Sequence, residues 1–436
     1  MKGLGVWMNG AHVGTWSVGR TGNHKFEYEP SWLSHPRSRP LSMSLPFTAS
    51  NQLVGTVVRN YFDNLLPDSD GIRKRISACY KTRGIDAFAL LQAIGRDCVG
   101  AVQLLPLGCE PGDLHRLDYE TLTDEQVELR LAGLGSEAGT GAQDDDDDFR
   151  ISIAGAQEKT ALLRVGNVWC KPKGATPTTH ILKPPIGLTS GRNLDLRLSV
   201  ENEWLCNQIL GELKLPVAHC YPAVFGHRKA LVVERFDRQW QDGRKWIVRI
   251  PQEDLCQSQG KSSDEKYESK GGPGIKDCLS VLKGGEAFEA DGKHFLCAQL
   301  AFWLLAAIDG HAKNFSIFLL PGARYRMTPL YDVLSAWPLI GTSPYHLQYK
   351  KTKMAMAVRS QTVHYRLSEI IRRHWEELAK KSGVPHAWDA LVGLVDAVEQ
   401  ALKTVESRLP PDFPAELADA VFTGTRKHLA RFRGAN

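Results

Sequence analysis

The chain has 436 residues, 42% hydrophobic and 24% charged, the make-up of a globular protein with a sizeable core and not of a disordered or fibrous one. Its 54 basic and 49 acidic side chains leave a net charge of +5, too mild by itself to require a nucleic-acid partner. No stretch approaches the roughly 20 apolar residues of a membrane span, and Met1–Trp7 lacks the apolar core of a secretory signal. The expectation is a cytoplasmic protein.

In chain order, Val6 to Trp16 reads as a hairpin around Asn9-Gly10, and Phe26-Glu27-Tyr28 as a short strand. Tyr61 to Asp68 looks like a helix ending at Pro67, and Ala87 to Ile94 like a helix stopped by Gly95. Ala132 to Asp148 is low in complexity and closes on five aspartates, which predicts a solvated linker. Phe149 to Ile153, Thr160 to Val165 and Thr179 to Lys183 then read as strands. A helix follows with Ser199 as its N-cap, and after it the strand Leu231–Phe236. From about residue 250 helices dominate, apart from a polar loop (258–274) and a strand pair, Phe315–Leu320 with Arg324–Thr328. Three helices near 365–381, 386–408 and 413–432 finish the chain. Nine cysteines without a C-x-x-C pair read as small hydrophobes, not as a zinc or disulfide framework.

The order predicts an α+β fold of two lobes: an N-terminal α+β subdomain (1–131), the linker (132–148), a strand-rich core (149–236) and a helical lobe (237–436). The most informative segment is Ile308-Asp309-Gly310-His311-Ala312-Lys313-Asn314-Phe315, set between a very apolar helix and a strand. Asp309-x-x-x-x-Asn314 reproduces the interval of a kinase catalytic loop, in which the Asp takes the substrate hydroxyl's proton and the Asn binds Mg²⁺. Asp332 follows the strand pair and supplies the second metal ligand. The bland alternative is a capping Asp309 and a turn-forming Asn314.

Upstream residues argue against that alternative. Lys183 ends a strand, where a kinase places the lysine that binds the ATP phosphates. Glu203 on the next helix is the first choice for its orienting acid, with Glu201 as the alternative. The small-residue turn Ile153-Ala154-Gly155-Ala156-Gln157-Glu158-Lys159 can bring backbone N–H groups to phosphate, and Leu231–Phe236 falls where a hinge strand would meet adenine. These parts stand in kinase order, which implies ATP and Mg²⁺ as cofactors.

Several longer motifs carry a resemblance: Phe62-Asp63-Asn64-Leu65-Leu66-Pro67-Asp68, Ile94-Gly95-Arg96-Asp97, Arg150-Ile151-Ser152 running into Ala154–Lys159, Val233-Glu234-Arg235-Phe236-Asp237, Pro251-Gln252-Glu253-Asp254 and the Asp309–Asn314 loop. With them the chain resembles the HipA family, the kinase toxins of bacterial HipBA toxin–antitoxin modules. The resemblance implies a fold like protein kinases and phosphatidylinositol kinases, and serine/threonine kinase activity with Asp309 as base and Asn314 and Asp332 as Mg²⁺ ligands. It implies phosphate binding by Lys183, adenine beside Glu234 and Phe236, and a pocket lined by His311 and Tyr331. Ser152 looks like the family's autophosphorylated serine. The implied partners are a small HipB-like helix-turn-helix antitoxin, operator DNA mainly through that antitoxin, and an aminoacyl-tRNA synthetase as target, glutamyl-tRNA synthetase in the archetype. The basic C-terminal helices become candidate auxiliary DNA contacts, Lys380 and Lys381 above all. A lipid or small-molecule kinase and a non-catalytic co-repressor are the alternatives. Cys98 stands where the family pattern leads one to expect serine.

Overall fold

The computed structural model describes residues 2–134, 152–155, 157–189 and 194–434. They divide into two units: Met1–Pro184 with Ala223–Asp264 and Ile317–Tyr325, and Pro185–Pro222 with Glu265–Ser316 and Arg326–Asn436. Residues 135–148 of the expected linker, and residues 149–151 and Ala156 of the strand and turn after it, lie outside the described residues.

The first unit starts with a five-stranded antiparallel sheet, ordered Gln52–Val54, His24–Tyr28, Ala11–Val18, Lys2–Met8, Val102–Pro106. Asn9 and Gly10 close the first hairpin at φ 45° and 80°, the left-handed pair a tight two-residue turn needs. One face of this sheet buries Trp16, Phe26 and Leu104 against the helices Thr56–Asp63 and Ala87–Ile94. Trp16 stacks on Phe62 at 4.0 Å. The helix predicted over 61–68 thus stops earlier, at Asp63, and residues 64–68 turn away to make backbone contacts elsewhere.

A second sheet in this unit contains, in order, Arg228–Glu234, His180–Lys183, Thr160–Val165, Val168–Pro172, Tyr119–Thr121. A buried ionic cluster joins the residues after the Ala87–Ile94 helix to those flanking the second sheet's strands. Asp97 Oδ1 accepts from Arg238 at 2.9 Å and Arg249 at 3.0 Å, while Oδ2 accepts from the Thr178 hydroxyl at 2.7 Å. Arg235 reaches Asp97 at 3.4 Å and pairs with Asp237 at 2.8 Å. Arg235 and Arg238 also donate to the Cys98 carbonyl, so most of their N–H groups have acceptors. Burial alone would raise the Asp97 pKa, but Arg238, Arg249 and Arg235 together hold it well below the usual carboxylate range. Its contribution to stability is therefore complete above the ordinary 3.8 and fades as pH falls below it.

The second unit is mainly helical. Phe288–Leu304 is its central helix, with every residue from Phe295 to Leu304 buried. Over that stretch the helix has no polar face because it is covered on all sides. Helices Ala387–Glu406 and Ala415–Arg433 surround it, and His428 stacks on Trp303 at 4.3 Å while its Nδ1 meets the Trp303 carbonyl at 2.6 Å. Two local expectations are corrected. Residues 363–366 form a strand paired with Lys353–Arg359, and the helix expected from 365 begins at Arg372. Ser199 is the first helical residue and not the cap: the N-cap is Leu198, and the Ser199 hydroxyl accepts from the Ile186 amide at 3.0 Å.

Two stability predictions follow from buried carboxyls of the first unit. Asp97→Asn leaves three buried guanidiniums with one carboxylate, and urea unfolding should read a loss of about 3–5 kcal/mol. Glu253, fully buried against Ser42 and the Met43 amide, is pushed by burial from 4.5 up to about 8. A raised carboxyl pKa means stability is greatest below 4.5 and lost as pH climbs toward 8, by at most about 1.4 kcal/mol per pH unit. Glu253→Gln should therefore gain on the wild type between pH 5.5 and 8.5; an unchanged difference would contradict this.

Candidate active site

The candidate residues divide between the units: Ser152 to Glu158, Lys183, Glu234 and Phe236 in the first, and Glu203, Asp309, His311, Asn314, Tyr331, Asp332, Lys380 and Lys381 in the second.

In the first unit, the segment from Ser152 is irregular backbone and not the end of a strand. It is held by the Leu65-Leu66-Pro67-Asp68 stretch. The Ser152 hydroxyl donates to the Leu65 carbonyl at 2.7 Å, its amide to the Asp97 carbonyl at 3.2 Å, and the Asp68 amide to Gly155 O at 3.0 Å. Ser152 is 0% exposed. Gly155 sits at φ 116°, a conformation that suits glycine. Lys159 donates to the Ala154 carbonyl at 2.8 Å, Gln157 to the Pro184 carbonyl at 2.9 Å, and Glu158 forms an ion pair with Arg75. Ile153 is buried.

Lys183 lies at the end of its strand, opposite Leu231, and is buried. Glu234 ends the neighbouring strand with an exposed side chain, opposite His180. Half-buried Phe236 meets Phe318 edge to face at 5.7 Å. Arg235, between Glu234 and Phe236, points the other way into the ionic cluster, which fixes this corner of the sheet.

In the second unit the helix Phe288–Leu304 ends in a left-handed residue, Ala306, at φ 50°, with the Ala307 amide returning to Phe302 O at 2.7 Å. The chain then enters the Asp309 loop. A Cβ at Gly310 would run into the Phe302 ring, so only glycine fits there. The Asn314 side-chain N–H donates to the Asp309 carbonyl at 2.8 Å, which closes the loop. Asp309 itself projects outward, 62% exposed, and its Oδ1 accepts from the Tyr267 phenol. His311 is buried, with Nε2 at 3.9 Å from Asp309 Oδ1.

The Tyr331 hydroxyl donates to the Lys313 carbonyl at 3.0 Å and lies 2.5 Å from the Ser316 hydroxyl. This ties the residue before Asp332 to both sides of Asn314. Asp332 has φ 56°, a left-handed conformation for which aspartate is among the better suited side chains. The segment beyond is pinned by Asn202, which exchanges two hydrogen bonds of 2.8 Å with the Ser335 backbone. Glu203, next to Asn202 on the Ser199–Glu212 helix, is buried, as is Glu201. Lys380 and Lys381 are exposed and pair with Glu376 at 2.8 Å and Glu377 at 3.9 Å. Sequence reasoning missed Asn202 and Tyr267, one hidden in a helix and the other in a stretch readable only as polar loop.

No group of three or more His, Cys, Asp or Glu among the described residues is arranged to hold a metal. The candidate ligands Asn314 and Asp332 offer an amide oxygen and a carboxylate, groups whose chemistry would suit hard Mg²⁺ if phosphate oxygens completed its shell. No helix among the described residues is long and apolar enough to cross a membrane.

Comparison with known proteins agrees with the sequence motifs. A family model described as the HipA-like C-terminal domain matches residues 151–407, and one described as the HipA N-terminal domain matches residues 4–105. The Sinorhizobium fredii protein Y4mE, whose name gives it as a presumptive kinase, is 34% identical over 408 residues, 92% of this chain and 91% of that one. The serine/threonine-protein kinase toxin HipA of Shewanella oneidensis is 29% identical over 307 residues, 68% of this chain and 66% of its own length. In structure, the chain is similar to one from the Shewanella oneidensis complex of HipA, HipB and operator DNA, with a TM-score of 0.80, 23% identity, and coverage of 99% of this chain and 97% of that one. The α+β fold is thus the kinase-like fold of HipA, and the chain belongs to the HipA family.

Proposed function

We propose that the chain is a serine/threonine kinase toxin of a toxin–antitoxin module that transfers the ATP γ-phosphoryl group to a serine of a target protein. The observation that carries this reading is the closed Asp309–Asn314 loop, in which a carboxylate projects outward while an amide oxygen remains available for a cation. Mg-ATP, when bound, supplies the phosphoryl group and the divalent charge that screens its oxygens. Asp309 orients the acceptor hydroxyl and takes its proton. Asn314 and Asp332 hold Mg²⁺. Lys183 binds phosphate with Glu203 orienting it, and the backbone of Ile153–Glu158 approaches the phosphates. Glu234 and Phe236 flank adenine, and His311 and Tyr331 line the pocket.

Self-inhibition runs through Ser152. Its hydroxyl hydrogen-bonds Leu65 in a fully buried position, where a phosphate of roughly −1.5 to −2 charge has no room. Phosphorylation there would expel the segment and unseat the phosphate-binding turn. A HipB-like antitoxin is the neutralising partner and carries operator DNA, with Lys380 and Lys381 as auxiliary contacts. The target is an aminoacyl-tRNA synthetase, with glutamyl-tRNA synthetase the first to test. Support for these partners comes from the family and from the HipA–HipB–DNA complex of the similar structure.

The test is incubation with γ-labelled ATP and Mg²⁺, alone and with cell lysate, followed by phosphosite mapping. Label should reach Ser152 and one dominant lysate protein, and Asp309→Asn should lower both by roughly 10²-fold or more. Absence of label from protein whose mass proves it unphosphorylated would leave a co-repressor that binds antitoxin without catalysis.

A further inference from the structure

Tyr267 lies in the polar segment between the strand Gln252–Asp254 and the helix Ile275–Lys283. Its phenol donates to Asp309 Oδ1, and its ring meets His311 edge to face at 5.0 Å. Lys266 and Lys270 place their ammonium groups 5.6 and 5.8 Å from the centre of the same ring. The backbone is tied in as well, because the Ala312 amide donates to the Lys266 carbonyl at 3.4 Å.

The turn that carries Tyr267 is anchored away from the loop. Glu268, whose side chain is 7% exposed, accepts from the Ala357 amide at 2.6 Å and from Arg359 Nε at 2.9 Å. The amides of Lys270 and Gly272 both return to the Tyr267 carbonyl, at 2.9 and 3.0 Å. At Gly272 any Cβ would collide with the Glu265 carbonyl, so the turn admits no side chain there.

We propose that Tyr267 is a positioning residue for phosphoryl transfer: it holds Asp309 Oδ1 so that Oδ2 faces the acceptor hydroxyl. This rests on the reading of Asp309 as the base. A carboxylate that projects from a loop samples several rotamers, and only a narrow set places an oxygen in line with an incoming hydroxyl. A phenol bonded to one oxygen selects among them, and a donor to an ionised acceptor makes a strong bond. The same contact could belong to a plug that must withdraw before substrate enters. The Glu268 anchor to Ala357 and Arg359, and the Lys266–Ala312 backbone bond, favour a fixed support over a mobile plug.

Tyr267→Phe removes the hydroxyl and keeps the ring, so a merely structural role of that ring would survive it. The full-length protein is followed by single-turnover self-labelling with γ-labelled ATP and Mg²⁺, beside titration with a fluorescent ATP analogue. Tyr267→Phe should slow labelling roughly 10- to 100-fold while nucleotide affinity stays within about twofold, the carboxylate's orientation being lost and not the nucleotide site. In an Asp309→Asn background the substitution should add nothing. A wild-type rate in Tyr267→Phe beside an inactive Asp309→Asn overturns this inference alone. A faster rate overturns it too and makes the phenol a competitor for the base. Full labelling by Asp309→Asn instead overturns the underlying assignment of the base.

Discussion

The architecture of the first unit depends on one buried carboxylate. Asp97 sits just beyond the Ala87–Ile94 helix and gathers Arg235 and Arg238 from one stretch of the chain and Arg249 from another. Moving such charges out of water costs several kcal/mol per ion, so the cluster is tolerable only because nearly every lone pair and N–H is used. The Thr178 hydroxyl and the Cys98 and Gly100 carbonyls complete it. Its consequence is geometric. The strand Arg228–Glu234, the corner at Phe236 and the segment starting at Ser152 all hang from residues that touch Asp97.

The second unit reaches a similar end by different physics. Its Asp309 loop grows from the buried second half of the Phe288–Leu304 helix, whose exit is set by Ala306 and by the tight approach of Gly310 to Phe302. Two tyrosines then fix the loop's polar groups. Tyr331 bonds the carbonyl of Lys313, and Tyr267 bonds the carboxylate of Asp309. Asn202 steadies the segment after Asp332 from a helix far away in sequence. Rigid apolar packing thus supplies position, and a few side-chain hydrogen bonds supply orientation.

Local signals carried well into the structure where the physics is local. The Asn9-Gly10 turn, the helix Ala87–Ile94 ahead of Gly95 and the strand Thr160–Val165 were legible because turn chemistry and periodicity act over a few residues. Long-range partners were not. Ser199 reads as a helix cap, yet its hydroxyl serves Ile186, and residues 365–366 read as the start of a helix, yet they end a strand paired with Lys353–Arg359. Asp97 stood inside a recognisable motif without a visible role, because Arg249 is 152 residues away. For the candidate site, the interval from Asp309 to Asn314 can be read directly, and a side-chain bond between these two residues closes that loop. Tyr267 and Asn202 could not, since nothing in their neighbourhoods distinguishes a support from a surface or core residue.

The most direct test of the account is a crystal structure of the protein soaked with Mg²⁺ and a non-hydrolysable ATP analogue. The account predicts Mg²⁺ on the Asn314 amide oxygen and the Asp332 carboxylate, the phosphates by Lys183 and the terminal phosphoryl group facing Asp309. Nucleotide bound elsewhere, or a metal that avoids Asn314 and Asp332, would contradict it.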